Sequence, residues 1–502
     1  MDEALAKIRP HTSSSLPHQR SPANLLVALE STFTEQNAEQ SPTAYFAALL
    51  TTLDGTIQKK DLALGEGDVL PAELYLLALI APFVPTPIIQ TNLKTILALT
   101  APLFPSLTSQ APALRSQLAL YHIVFRSLNR SQLETPGIRQ SFASISYLCI
   151  DPRPKVRKKA ADVVQDVLAT PPAPLARHPF AAGVADWVKS ILSEAGAGPL
   201  FRPKEGKRPE PSGPETAIHM IAFLRPVLPN LPPTVSKLDF PSRLSLMLLQ
   251  AIPSIIHILL TLPRLGNTYL TQATYSILSD LFSLLLEGGS TDVHPHLSET
   301  LKVILSSSPS KSDTILSPAW VQVLGNATQV YSALDADSCA TELGKVWKAV
   351  WTFLESSDPL SRKAASQSLV GLCRCFTPTL ITAAFDDATP TSTLGSIITQ
   401  TTKALHSLAF AQSIPHLLSI TSSLIASLRY RVGSRSSPTA AERLLFSLIG
   451  YVGELRVQKG FEYKEDADAT LATAMQVLGP EVLLRILPLN LEPADRYEIL
   501  PY

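Results

Sequence analysis

A chain of 502 residues is too long for one compact core, so several domains or a stacked repeat array is expected. With 45 % apolar and 17 % charged residues it has enough apolar surface to bury a long core, which excludes a wholly disordered chain. The 42 basic side chains balance 42 acidic ones, so a nucleic-acid partner cannot be argued from bulk charge and has to rest on local patches.

The N-terminus, Met1-Asp2-Glu3-Ala4, opens with acids and reaches Arg9-Pro10 without an apolar core, so no signal peptide is expected. Beyond it, apolar runs of about 12–20 residues alternate with short breaks rich in Pro, Ser, Thr, Asn or Gly. The runs fall at Pro42–Leu53, Pro71–Phe83, Thr91–Leu99, Pro112–Leu128, Gly137–Cys149, Pro154–Leu168 and Phe180–Leu192. Later ones are Pro241–Leu262, Thr271–Leu285, Asp337–Leu354, Leu360–Phe376, Gly395–Ala409, Pro415–Leu428 and Pro438–Leu455. Sustained period-2 alternation is missing, and no Asn-Gly or Asp-Gly hairpin joins two runs, so the predicted class is all-α. Many of the 42 prolines open a run, as at Pro42, Pro71, Pro112, Pro154, Pro241 and Pro438, where a first helical turn tolerates the missing N–H.

Ser245–Leu262 carries no formal charge and is long enough to be weighed as a membrane span. Gln250, Pro253 and His257 interrupt it, and Asp239 and Arg243 stand close before it. A helix buried in a solenoid is the better reading, and no membrane partner is expected.

A repeat is visible within the runs. Pro112-Ala113-Leu114-Arg115 and Pro154-Lys155-Val156-Arg157 share the form Pro-x-apolar-Arg, with arginines 42 residues apart (157 − 115), inside the roughly 40–47-residue period of helical-hairpin repeats. Pro136-Gly137-Ile138-Arg139 opens the intervening helix. Val156, Ala160, Val163, Val164, Val167 and Leu168 form one stripe of an amphipathic helix, and Ala365, Leu369, Leu372, Cys373 and Phe376 repeat the arithmetic. The entrance Asp358-Pro359-Leu360-Ser361-Arg362-Lys363 loosely echoes Asp151-Pro152-Arg153-Pro154-Lys155-Val156-Arg157. An Asp in the turn followed by a base early in the next helix resembles the HEAT signature. Its carboxylate can accept orphan N–H groups, and its arginine can reach the equivalent Asp of a neighbouring repeat. The prediction is a HEAT/armadillo-like helical-repeat solenoid, with N-terminal repeats over 1–193, a Gly/Pro/basic loop or hinge over 194–214, and further repeats over 215–502.

Chemistry is harder to find. Cys149, Cys339, Cys373 and Cys375 are too few and scattered for a disulfide framework and fit a reducing compartment. In that compartment the sequons at Asn129 and Asn326 carry no glycan. Cys373-x-Cys375 lacks a second pair and His294-Pro295-His296 a third ligand, so no metal is expected. Gly65-Glu66-Gly67 is a lone Gly-x-Gly without strand or lysine. No catalytic motif appears, so no enzyme, cofactor or small-molecule substrate is expected. Three basic clusters are the candidate contacts for RNA or an acidic partner. Lys155, Arg157, Lys158 and Lys159 open one helix beside Arg153, with Arg177 and His178 just beyond it. Arg202, Lys204, Lys207 and Arg208 lie in the long loop, and Arg429 and Arg431 stand with Arg435. Charge runs usually only solvate a surface, and aromatics to stack on bases are scarce nearby, so sequence-specific RNA reading is not expected.

Two stretches go beyond a generic repeat. Tyr147-Leu148-Cys149-Ile150-Asp151-Pro152-Arg153-Pro154-Lys155-Val156-Arg157-Lys158-Lys159-Ala160 resembles a segment of the ribosomal RNA-processing protein 12 family. Val477-Leu478-Gly479-Pro480-Glu481-Val482-Leu483-Leu484-Arg485-Ile486-Leu487-Pro488-Leu489-Asn490-Leu491 resembles the segment closing that family's helical domain. Their order and separation suit the N-terminal half of the longer family members. The resemblance implies a nuclear and nucleolar factor, shuttling to the cytoplasm, that acts in pre-rRNA processing and in maturation and export of the small-subunit precursor. Its implied partners are pre-ribosomal proteins and pre-rRNA, with Ran GTPase and nuclear pore proteins. An importin-like transport adaptor that binds protein cargo is the other reading of the same architecture.

Overall fold

The structure is a computed structural model in which residues 1–59, 64–65, 67–196, 213–231, 251–288, 294–385, 392–431 and 437–488 are described. Among them all regular structure is helical, apart from an isolated antiparallel bridge between Arg431 and Thr439. Pro241, most of the loop expected at 194–214, and the first part of the run 245–262 lie outside the described residues.

The helices start where local chemistry lets them. Pro42, Pro112, Pro136, Pro154 and Pro359 occupy one of the first two helical positions, where the ring costs no hydrogen bond. Pro71 is instead the third residue of Val69–Ile80, and Pro438 stands just before the Thr439 cap. Ser41, Asn129, Asp335, Asp358, Ser392 and Thr439 each accept the amide three residues on, a cap worth about 1 kcal/mol.

Residues 1–251 and 252–502 form two units. In the first, Pro17–Glu35, Val69–Ile80, Ala111–Ser127, Pro154–Ala169 and Gly213–Val227 stack in succession as one layer. Pro42–Ile57, Pro136–Leu148 and Ala181–Gly196 flank it, each packed on the helix that follows as a hairpin. The second unit repeats the scheme. Thr268–Gly288, Ser317–Leu334, Pro359–Leu372, Ile414–Ser427 and Lys464–Leu478 stack in order, with Ala336–Trp351, Thr393–Leu405 and Phe446–Val457 alongside. Within each unit one helix of each hairpin stacks on its counterpart in the next, as a solenoid requires when one hairpin cannot bury its own apolar face.

Polar side chains tie counterparts together at the repeat spacing. In the first unit His122 Nε2 lies 2.6 Å from Asp166 Oδ2, with Arg126 Nη1 at 3.3 Å from the same oxygen. In the second, Asn326 Nδ2 donates to Ser279 Oγ and Ser283 Oγ at 2.9 and 3.0 Å, and Ser368 Oγ donates to the Val321 carbonyl at 3.0 Å. The hydrogen-bonded partners are 43 to 47 residues apart in sequence. Asn326, read in the sequence as an idle sequon, is thus a cross-repeat tether. At the crossing of Ser317–Leu334 with Pro359–Leu372, a Cβ on Gly325 would come within 2.8 Å of Ser368 Oγ and 2.9 Å of its Cβ.

The expected stripe of Val156, Ala160, Val163, Val164, Val167 and Leu168 is buried in full. Trp320, Trp347, Tyr45, Tyr121, Tyr275 and Phe282 are among the largest fully buried side chains, each contributing about 2–3 kcal/mol of apolar burial. Trp320 Nε1 also satisfies the Ile304 carbonyl at 2.8 Å. All four cysteines are free and buried, and burial pushes the Cys339 thiol up to about 12 and Cys375 to about 11. Of the run weighed as a membrane span, Ile255, Ile256 and Leu259 are buried. A different described stretch, Leu408–Ser427, is long and apolar enough to cross a membrane, a property that buried core helices share. Its Ile414–Ser427 part packs on Pro359–Leu372 and Lys464–Leu478.

Candidate partner-binding surfaces

The start of Pro154–Ala169 sorts its bases into two kinds. Arg153 chelates Asp151, with Nε at 2.9 Å and Nη2 at 2.8 Å from the two carboxylate oxygens, and its Nη1 donates to the Thr108 carbonyl of the preceding repeat at 2.6 Å. Burial alone would raise the Asp151 carboxyl, but the Arg153 guanidinium and amide hold it below the usual carboxylate range. Arg157 Nη1 donates to the Asp151 and Pro152 carbonyls at 2.6 and 3.2 Å. It therefore closes its own turn, where the sequence suggested a reach to the Asp of a neighbouring repeat. Lys155 and Lys158 are exposed and Lys159 is half-buried, and none of the three pairs with a carboxylate among the described residues. Three uncommitted ammonium groups thus stand at a helix start whose two guanidinia are held internally.

The same lock recurs in the second unit. Arg362 Nη1 donates to the Ser356 and Ser357 carbonyls at 2.8 and 2.9 Å, the positions six and five residues back, as for Arg157. In each unit the next stacked helix brings a histidine to the guanidinium. His219 and His416 have their pKa values lowered first by burial and then by Arg157 and Arg362 respectively. Aligning Pro154 with Pro359, rather than Asp151 with Asp358, would have exposed this equivalence in the sequence, because both arginines follow their proline by three residues. The surfaces differ: where the first unit presents Lys155, the second presents Leu360, 66 % exposed.

His178 leaves the basic cluster. It is 4 % exposed, stacked on Phe142 with ring centroids 6.5 Å apart, and its Nδ1 accepts the Phe180 amide at 3.2 Å. Burial lowers its pKa to about 4, so it is neutral near pH 7. The folded state then binds fewer protons than the unfolded one between about pH 6.5 and 4. Stability should therefore fall as pH drops through that window, by up to about 3 kcal/mol. Thermal melts of His178→Phe should show a shallower loss over the same range, and an unchanged slope would refute the assignment.

Arg429 and Arg431 are exposed on the turn after Ile414–Ser427, where Arg431 Nη1 donates to the Ser437 carbonyl at 2.5 Å. Arg202, Lys204, Lys207, Arg208 and Arg435 lie outside the described residues. Among those that are described, no group of three His, Cys, Asp or Glu is placed to hold a metal. Gly67, at φ +100°, lets its loop cross Pro17–Glu35: a Cβ there would come 2.8 Å from Pro17 Cβ, and Ser21 Oγ donates to its carbonyl at 2.5 Å. That crossing accounts for Gly67 without a phosphate.

Two family models match the chain. One, described as RRP12-like, N-terminal HEAT repeats, matches residues 8–273, more than half of the sequence; the other, described as Ribosomal RNA-processing protein 12, HEAT repeats, matches residues 355–499. The chain belongs to the ribosomal RNA-processing protein 12 family. Both stretches that carried the resemblance fall inside these matches. Ribosomal RNA-processing protein 12 of Saccharomyces cerevisiae is 24 % identical over 98 % of this chain and 40 % of its own length. The putative ribosomal RNA-processing protein 12 of Schizosaccharomyces pombe is 26 % identical over 94 % and 37 %, and the human RRP12-like protein 23 % over 96 % and 34 %. The chain thus spans well under half the length of these relatives. Among solved structures, Kap121p aligns over 97 % of this chain and 47 % of its own, at 12 % identity and a TM-score of 0.42, too low to add to the assignment.

Proposed function

We propose that this chain is a non-catalytic scaffold of ribosome assembly, acting in rRNA processing and holding pre-ribosomal proteins and pre-rRNA on its surface. Membership of the ribosomal RNA-processing protein 12 family in both units carries the role. The contact we assign to it is the helix start at Pro154, whose Lys155, Lys158 and Lys159 pair with no carboxylate among the described residues while Arg153 and Arg157 are held by the turn. Ammonium groups gathered at one helix start meet phosphate oxygens without reading bases, a sequence-independent contact that suits a scaffold. The proposed setting is the nucleus and nucleolus, on precursors of the small subunit, including their export.

Affinity purification of the chain from cell extract at two salt concentrations tests the reading. Small-subunit pre-rRNA and assembly factors should be retained and partly lost at high salt, because neutralised phosphates release counterions. Retention of Ran GTPase and protein cargo without pre-rRNA would replace the scaffold with an importin-like transport adaptor.

A further inference from the structure

The helix Val69–Ile80 reads Val-Leu-Pro-Ala-Glu-Leu-Tyr-Leu-Leu-Ala-Leu-Ile, apolar on every side but for Glu73. Glu73 is itself buried and accepts from Thr56 Oγ1 at 2.8 Å. A helix that is apolar all round belongs where every side is covered. Pro17–Glu35, Pro42–Ile57 and Ala111–Ser127 cover three sides. The fourth is open. Tyr75 and Leu79, four residues apart and so on one face of the helix, line a groove of about 1070 Å³ with Phe83 of the 3-10 turn Ala81–Phe83 that follows, and Tyr75 is 42 % and Phe83 45 % exposed. Ile8, on the N-terminal segment, forms part of the facing wall.

The charges in the groove indicate what fits. Lys7 pairs with Glu3 at 3.1 Å, and Asp68 accepts the Gly65 amide. Arg115 donates Nε to the Ala111 carbonyl at 3.3 Å and meets no carboxylate among the described residues. Among the described residues the lining therefore presents an apolar stripe, the Arg115 guanidinium without a carboxylate, and the Asp68 carboxylate, which meets a backbone amide and no cation.

We propose that this groove docks a segment of a partner protein that places bulky apolar side chains against Tyr75, Leu79 and Phe83 and a carboxylate against Arg115. The proposal rests on reading the chain as a binding scaffold. A guanidinium set beside apolar walls favours a carboxylate, which it can grip through two parallel N–H bonds. A nucleic-acid strand would bring its phosphates against Glu3 and Asp68 in the same lining, and Lys7 is already paired with Glu3, so the groove lacks the continuous positive track a strand requires.

The test is selection of a phage-displayed library of random peptides of about 12 residues against the whole chain. Selected peptides should combine two bulky apolar residues with an Asp or Glu. Their affinity should fall about tenfold or more in Tyr75→Ser with Phe83→Ser. In Arg115→Glu the acid preference should reverse to Lys. A thermal melt reports whether the serine variant folds; if it does not, Arg115→Glu decides alone. Three results would overturn the proposal: no enrichment, peptides indifferent to these substitutions, or displacement of the peptides by a single-stranded oligonucleotide. A variant with Lys155, Lys158 and Lys159 changed to Glu must bind the peptides as the parent does. Failure of the scaffold reading looks different: pre-rRNA is missing from the purified chain while peptide binding persists.

Discussion

Replacing Lys155, Lys158 and Lys159 with Glu should weaken association with pre-ribosomal RNA by about a hundredfold near physiological salt. It should also flatten the salt dependence of binding by about two to three in the slope of log K against log salt. The slope is the sharper readout, because every phosphate left without its lysine keeps nearly one counterion that binding would otherwise release. Stability should barely move: Lys155 and Lys158 are exposed, and such substitutions stay within about 0.5 kcal/mol each. Arg157→Ala is the contrast. It strips the donor from the Asp151 and Pro152 carbonyls and should cost about 1–3 kcal/mol in unfolding. Association unchanged in the triple variant, or a collapsed fold, would reject the site, since the lysines would then be a solvated face or a structural element.

Gly325→Leu should be the most damaging single substitution in the second unit. The helix Ser317–Leu334 packs on both Thr268–Gly288 and Pro359–Leu372, so a clash there disturbs two stacking interfaces together. Even alanine places a Cβ 2.9 Å from Ser368 Cβ, and that carbon cannot swing aside as a side-chain end could. Alanine regains about 1 kcal/mol of helix propensity, against about 1–3 kcal/mol for overpacking, so Gly325→Ala should be mildly destabilising. Leucine has no such offset and should cost about 3 kcal/mol or more. Ser368→Gly alone loses the Val321 tether and about 1 kcal/mol of helix propensity, but it removes the opposing carbon, so chemical denaturation should show the costs of Gly325→Ala and Ser368→Gly to be less than additive in the double variant. Strictly additive costs would mean the crossing is not as close as the structure places it.

The same helix shows where sequence reading reached its limit. Runs built from Leu, Ala and Val on a 3.6 period were legible, as at Pro154–Ala169, because one stripe buries and the rest dissolves. Ser317–Leu334 carries Gly325 and Asn326 at its middle, two poor helix formers that interrupt its apolar pattern. Packing on both sides overrides that preference, and the two weak residues are the ones the crossing needs: glycine for the close approach, asparagine for the Ser279 and Ser283 tether. Of the candidate site, the residue types were legible and their pairing was not. The cluster at Lys155–Lys159 could be read directly, but separating its lysines from Arg157 required knowing which carbonyls the turn points inward. His178 was misplaced for a related reason: next to Arg177 it looks exposed and basic, and only the fold shows it buried against Phe142 and Phe180, where burial lowers its pKa.

The buried thiols make the chain its own reporter. Cys149 sits in the first unit and Cys339, Cys373 and Cys375 in the second, each shielded from an alkylating reagent while the fold is closed. Raised thiol pKa values slow the reaction further, because the thiolate is the reactive form. Modification at a given cysteine is therefore a clock for the opening of the repeat around it. Mass-resolved labelling of one population of molecules would time both units in a single experiment, without an engineered probe.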